Sequence, residues 1–282
     1  MLPNLIQTLI LTIVSISAGI LGTVSGGGGG TFVVPSMVAT IHESPSVLVG
    51  SVFVMYLVGA VTGLIVYKKK GLIDTKSGLI LAAPTIPGVV IGTLLEGYIT
   101  NFVFNLGLGV LTTVLAFLLI FFRKEAKIAG EKQNKESVDP TGNVKTNKRS
   151  LVDQSGRVFT YSPNFAAGIA INLLAGFLSG LFGAGAAVII VPASILFVRF
   201  PSHIAIATTR IVLVVLDVSA LATHVGIGTI NVTYALILSV GGIIGAIIGA
   251  RIAFAIRPDL LTKVIAIILG ILGLYLVATS LV

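Results

Sequence analysis

The residues of this sequence whose types and spacing could do chemistry are two glycine-rich turns set in long apolar runs, and an arginine and an aspartate inside a third run. The first turn reads Ser25, Gly26, Gly27, Gly28, Gly29, Gly30, Thr31, and the second reads Gly183, Ala184, Gly185. Consecutive glycines do not hold a helix, because each costs about 1 kcal/mol relative to alanine in a helix interior. They leave free backbone N–H groups where the chain resumes, at Thr31 to Ile41 and at Ala186 to Val198. Helix N-termini approached through glycine favour anions. Arg210 and Asp217 are seven residues apart in the run Ile204 to His224, and so on roughly one helix face. An ionised group at the bilayer centre costs at least ~2.5 kcal/mol, so such residues normally face the interior and mark a pathway. Arg210 is predicted to meet an anionic substrate, and Asp217 to be proton-linked or to pair. Ser51, Thr208 and Thr209 could add hydroxyl donors, with a bond to their own helix carbonyls as the alternative for the threonines.

The elements that carry these residues occur twice. Ala18 to Pro35 and Ala175 to Pro192 superpose at a single offset, 192 − 35 = 157, without a gap. The same offset pairs Gly26 with Gly183, Gly28 with Gly185, Gly71 with Gly228, Gly88 with Gly245 and Gly92 with Gly249. The chain is a tandem duplication. Arg210 and Asp217 break it, having Phe53 and Ala60 at the equivalent places. Gly241, Gly245 and Gly249, four apart on one helix, are read as close-packing positions instead of a site.

Composition fixes the solvent. With 55% hydrophobic and 10% charged residues, the chain cannot cover a water-exposed surface, and several apolar runs reach the roughly 20 residues that span a bilayer. Runs without period-2 alternation must satisfy their own backbone and so form helices, not a barrel. The predicted class is an all-α polytopic membrane protein. The absence of cysteine excludes disulfides and thiolate chemistry. The net charge of +8 sits in loops flanking the spans, which argues against nucleic-acid binding. The sequence offers no nucleotide motif, metal cluster, cofactor site or nucleophile with a matched base, and an enzyme is not expected. The N-terminal run has no basic flank and carries half of the duplicated motif, so it is kept as a helix and not taken for a leader.

In chain order, Leu5 to Val24, the glycine turn and the short piece Thr31 to Ile41 make one hairpin, followed by spans near Val47 to Tyr67, Ser77 to Leu95 (bent at Pro84 and Pro87) and Val103 to Phe122. Glu125 to Ser162 reads as a solvated hydrophilic linker. The plan then repeats. This gives a first transmembrane repeat over 1–124, a linker over 125–162 and a second repeat over 163–282. In the first half the basic loop holds Lys68, Lys69, Lys70 and Lys76; in the second half the following loop holds Arg251, Arg257 and Lys263. The positive-inside rule then orients the halves oppositely, as inverted-topology repeats, with the linker cytoplasmic and both termini outside. His42, His203, His224 and Glu96 are expected at span ends, reaching solvent or headgroups.

The duplicated Ala-Gly motif with its Gly-x-Gly tip and following proline, on two halves joined by a hydrophilic linker, resembles the sulfite exporter TauE/SafE family of membrane permeases. The resemblance implies export of sulfite, an organosulfonate or a related sulfur oxyanion, coupled to the proton gradient. A thiosulfate-importing relative works through cysteines, which this chain lacks. A passive anion channel and a non-transporting scaffold remain as alternatives, and a homo-oligomer stays open.

Overall fold

A computed structural model describes residues 5–25, 28–41, 43–136, 149–152, 154, 156, 158–183, 186–252 and 258–281. The first half holds α1 (Leu5–Ser25), a 3-10 turn (Gly28–Phe32), α2 (Val33–Thr40), α3 (Pro45–Lys69), α4 (Thr75–Ala82), α5 (Thr85–Glu96) and α6 (Asn101–Glu136). A two-stranded hairpin, β1 (Arg149–Val152) and β2 (Val158–Tyr161), leads to α7 (Phe165–Phe182), α8 (Ala187–Leu196), α9 (Ser202–Ile227), α10 (Val232–Ile252) and α11 (Pro258–Leu281). Among the described residues, seven helices are long and apolar enough to cross a membrane, α4 and α5 together counting as one. The chain is an all-α polytopic membrane protein.

The duplication holds to the residue at three helix starts. Adding 157 to Pro45, Thr75 and Asn101 gives Ser202, Val232 and Pro258, the first residues of α9, α10 and α11. The glycines that follow α3 and α9, Gly71 and Gly228, both take left-handed backbone, with φ of 70° and 71°, a conformation that glycine adopts without penalty. One difference interrupts the match. Pro84 has no N–H to continue a helix, so α4 and α5 part at Ala83 and Pro84; the Ile86 N–H bonds the Ala83 carbonyl at 3.3 Å instead of Ala82, whose carbonyl accepts from the Thr85 hydroxyl at 2.6 Å. Gly241 stands at the equivalent place, and α10 runs through it unbroken.

Neither half buries its own core. The long hairpin arm α1 packs along α10, and its counterpart α7 packs along α5. Glycines let these backbones touch: Gly19 lies on Gly242 and Gly245 on Ile16, while Gly88 lies on Leu173 and Gly176 on Thr85. Gly241 and Gly245 thus act as the close-packing positions expected. The short arms cross over as well, α2 to α11 and α8 to α6. In both long-arm pairs the helices run parallel. In contrast, Gly50 of α3 sits beside His224 of α9 and Gly63 beside Arg210, so α3 and α9 run antiparallel. Gly109 beside Gly273 and Ala116 beside Gly270 make α6 and α11 antiparallel too. Side chains such as Leu79, Ile91, Phe117, Ile247 and Ile271 stay exposed, as a lipid-facing surface requires.

The linker reading needs correction at both ends. Helix α6 continues to Glu136, well beyond the apolar span, and the stretch before α7 folds into the β-hairpin, with Phe159 and Tyr161 buried. The hairpin is held at Asp74, the N-cap of α4. Asp74 accepts from the Ser77 backbone at 3.0 Å, the Ser77 hydroxyl at 2.6 Å, the Tyr161 hydroxyl at 2.7 Å and Arg149 Nη1 at 3.0 Å. Burial by itself would raise the Asp74 carboxyl, but the bonds from Ser77, Tyr161 and Arg149 outweigh it and hold the group below its ordinary range. Burial and the Asp74 carboxylate together push the Tyr161 phenol far up. A carboxylate with a lowered folded pKa stabilises the fold above its unfolded value of about 3.8, and that contribution is lost as pH falls through the lower folded value. In detergent, the thermal midpoint of the wild type should therefore fall as pH drops from 6 to 3. Asp74→Asn should keep the cap, be less stable at pH 6, and show a shallower fall.

Candidate functional site

The two hairpins enter from opposite ends of the bundle. The first has its open end near the start of α3, and the second closes on itself at Gly168 and Val198, by the ordered hairpin strands. Their tips meet at one side chain. The Tyr56 hydroxyl donates to the carbonyl of Gly30, at 2.5 Å, and shares its proton with the carbonyl of Gly183, at 3.1 Å. Tyr56 is eleven residues into α3, about 16 Å from its start, close to half of a ~30 Å hydrocarbon core. Side chains cannot be added at the tips: a Cβ on Gly30 would enter the Tyr56 ring, and one on Gly183 would meet Val34 and Val49. Gly183 also needs its left-handed φ of 61° to end α7. Thr31 is fully buried at the first tip, and the Phe53 ring backs Tyr56 edge-on at 5.8 Å.

Of the other expected tip residues, Gly28 and Gly29 form the 3-10 turn, and Ser25 closes α1. Gly26, Gly27, Ala184 and Gly185 lie outside the described residues, as does His42.

Ser51 and Thr208, equivalent under the repeat, do equivalent work. Thr208 accepts from the Asp74 backbone N–H at 3.1 Å, and Ser51 accepts from the Asn231 N–H at 3.0 Å. Asp74 and Asn231 are themselves 157 apart and cap the equivalent helices α4 and α10; Asn231 Oδ1 accepts from Thr233 and Tyr234. Each hydroxyl thus ties its own long helix to a helix cap in the other half, one tie at each end of the bundle. Ser51 also donates to the Val47 carbonyl at 2.7 Å. Thr209, next to Thr208 in α9, is buried as well.

Arg210 is 8% exposed. Its guanidinium lies 5.7 Å from the centroid of the Tyr67 ring, and its stem rests on Gly63. Its Nε has no acceptor, and among the described residues no carboxylate lies within ion-pair distance. Gly63 is seven residues beyond Tyr56, so Arg210 sits about 10 Å along the bundle axis from the tips, toward the end that carries the β-hairpin. The structure brings the two tips together but does not bring Arg210 to them. Asp217, two turns further along antiparallel α9, returns to the depth of Tyr56 and is 4% exposed.

Two expectations at span ends change. His224 is fully buried, its Nδ1 bonded to the Thr229 hydroxyl at 2.8 Å and its ring 5.6 Å from that of Phe53. Glu96 is 2% exposed instead of reaching headgroups. Only His203 is exposed as expected. Tyr56 was missed altogether, although a hydroxyl halfway along an apolar span, which must find a partner, was a readable signal. The described residues hold no group of side chains suited to a metal ion.

Membrane-crossing helices wrapped around two interior hairpin tips, with a buried cation about 10 Å away, define a polytopic membrane protein. The chain belongs to the sulfite exporter TauE/SafE family, whose model matches residues 11–276. It is 28% identical over 275 residues to the probable membrane transporter protein YunE of Bacillus subtilis, covering 95% of this chain and 96% of that protein. It is 26% identical over 283 residues to a probable membrane transporter protein of Xylella fastidiosa, covering 98% and 97%. No solved structure matches the chain at a significant level.

Replacing Tyr56 with phenylalanine takes the hydroxyl donor away from both tip carbonyls. The variant should lose about 1–3 kcal/mol of stability, measured by thermal or denaturant unfolding in detergent. An unchanged midpoint would mean that the tips do not depend on this hydroxyl.

Proposed function

We propose that this protein is a secondary transporter that exports sulfite, an organosulfonate or a related small sulfur oxyanion by alternating access, coupled to protons. The observation that carries the proposal is Arg210: a buried guanidinium inside a membrane span, with an unused Nε–H and, among the described residues, no carboxylate within ion-pair distance. A cation in that position gains most from a ligand of opposite charge. A tetrahedral or pyramidal oxyanion suits the planar fork of arginine. Arg210 receives the anion off the midplane, and the polar backbone of Gly28 to Thr31 and of Gly183 forms the central station. Thr208 and Thr209 flank Arg210 in sequence and supply hydroxyls when the Thr208 tie to Asp74 opens. Asp217, at tip depth, serves as a proton-linked or pairing partner for Arg210.

The antiparallel run of α3 against α9, and of α6 against α11, supports two halves in opposite orientation, 1–124 and 163–282, built as inverted-topology repeats. Rocking of one half against the other would break the Ser51 tie at one end and the Thr208 tie at the other in alternation. The lysines at 68–70 and 76 favour the cytoplasm for the end carrying the β-hairpin and the linker, with both termini outside, in the cell membrane. The sulfite assignment rests on the family description.

The test is sulfite flux in proteoliposomes. Arg210→Met should weaken apparent sulfite affinity by roughly tenfold or more, the equivalent of one charge-assisted hydrogen bond, with an unchanged unfolding midpoint. Arg210→Lys should recover part of it. Wild-type flux in Arg210→Met would remove this residue from the mechanism, and flux without proton movement in the wild type would favour a passive facilitator.

A further inference from the structure

Glu96 is the last residue of α5 and is 2% exposed, yet neither carboxyl oxygen has a hydrogen-bond partner. The nearest hydroxyl facing it is that of Ser46, near the start of α3. Three features of the placement act against a charged carboxylate. Burial removes water, the lack of donors removes compensation, and the C-terminal end of a helix presents the negative end of its dipole. No ion pair offsets them. Helix α5 packs on α7, which has no ionisable side chain; on α4, which carries Lys76; on α3, which carries Tyr56, Tyr67, Lys68 and Lys69; and on α9, which carries His203, Arg210, Asp217 and His224. None of these groups ion-pairs or hydrogen-bonds with Glu96 among the described residues. In the loop before α3, Glu43 faces Tyr234.

A purely structural residue here would do better as leucine or glutamine, since an uncompensated acid destabilises the fold. The repeat does not call for an acid either, because the equivalent position is Ala253. A route to water lies close by. A cavity of about 380 Å³ is lined by Glu43, by Ser44, Pro45 and Leu48, which bracket Ser46, and by Asn101 and Asn105, just beyond the turn that Glu96 starts. This volume has room for water among polar walls.

We propose that Glu96 is a proton-binding site of the transport cycle, at the end of the bundle opposite the β-hairpin. In the closed arrangement the carboxyl holds a proton. When the α3 and α6 ends part, water from the cavity reaches it, the O–H bond breaks, and the proton leaves to water while the carboxylate is hydrated. The proposal rests on the transporter reading for its role, but proton binding itself is measurable without transport.

The experiment uses the full chain in lipid nanodiscs and in proteoliposomes. Infrared difference spectra between acidic and alkaline buffer should show a protonated-carboxyl C=O band that is absent in Glu96→Gln and shifted in Glu96→Asp. In proteoliposomes, Glu96→Gln should lose sulfite-driven proton movement while its unfolding midpoint stays equal or rises. The proposal is overturned if the band survives in Glu96→Gln, or if sodium at constant pH abolishes the band in the wild type, which would make this a sodium site. Should Glu96→Gln not fold, the sodium arm and Glu96→Asp still decide. A Glu96 band without sulfite flux in the wild type would sink the sulfite reading and leave the proton site standing.

Discussion

A carbonyl in hydrocarbon must have a donor, and the rest of this structure follows from how two of them find the same one. The glycine turns break their helices at mid-depth, where water cannot compensate the exposed backbone. Gly30 and Gly183 come from hairpins that enter from opposite ends, and both carbonyls close on the Tyr56 hydroxyl. To deliver the tips to that point, each long arm must pass close along a helix of the other half, which requires the small residues at Gly19, Gly88, Gly176 and Gly245. Exchange of arms between halves is therefore a consequence of the tip junction and of the glycines that allow it.

Symmetry and its violations divide the labour. The ties Ser51 to Asn231 and Thr208 to Asp74 are the same device at the two ends. Yet asparagine caps with a neutral amide, whereas aspartate carries a charge that recruits Arg149 and Tyr161 from the β-hairpin. The ionisable residues inside the bundle are unpaired by the repeat as well: Arg210 and Asp217 face Phe53 and Ala60 in the alignment, and Glu96 faces Ala253. A scaffold shared by both halves thus holds chemistry that only one half supplies at each place, so the two ends of the molecule are not equivalent electrically.

Much of the scaffold was legible because duplication is a long-range signal: the offset of 157 reproduces three helix starts to the residue. The packing role of Gly241 and Gly245 was legible from their spacing. The meeting of the tips followed from half-length arms entering from opposite sides. What escaped is rotational. Helix α5 is apolar nearly all round, so no hydrophobic face told which way Glu96 turns, and it turns inward. The same holds for His224. The β-hairpin escaped because its strands are only four residues long and draw their stability from Asp74, distant in sequence. Arg210 was placed on the correct helix, but its 10 Å separation from the tips depends on the antiparallel register of α3 and α9, which only three dimensions fix.

The central claim is that equivalent helices of the two halves face opposite ways across the bilayer, so that the tips approach from both sides. The chain has no native cysteine, so single cysteines at Lys68, after the main span of the first half, and at Lys263, early in the last helix of the second, can be labelled from one side of the membrane at a time. Both positions are exposed. The account predicts that both are modified from the same face, the cytoplasmic one. Modification from opposite faces would contradict it.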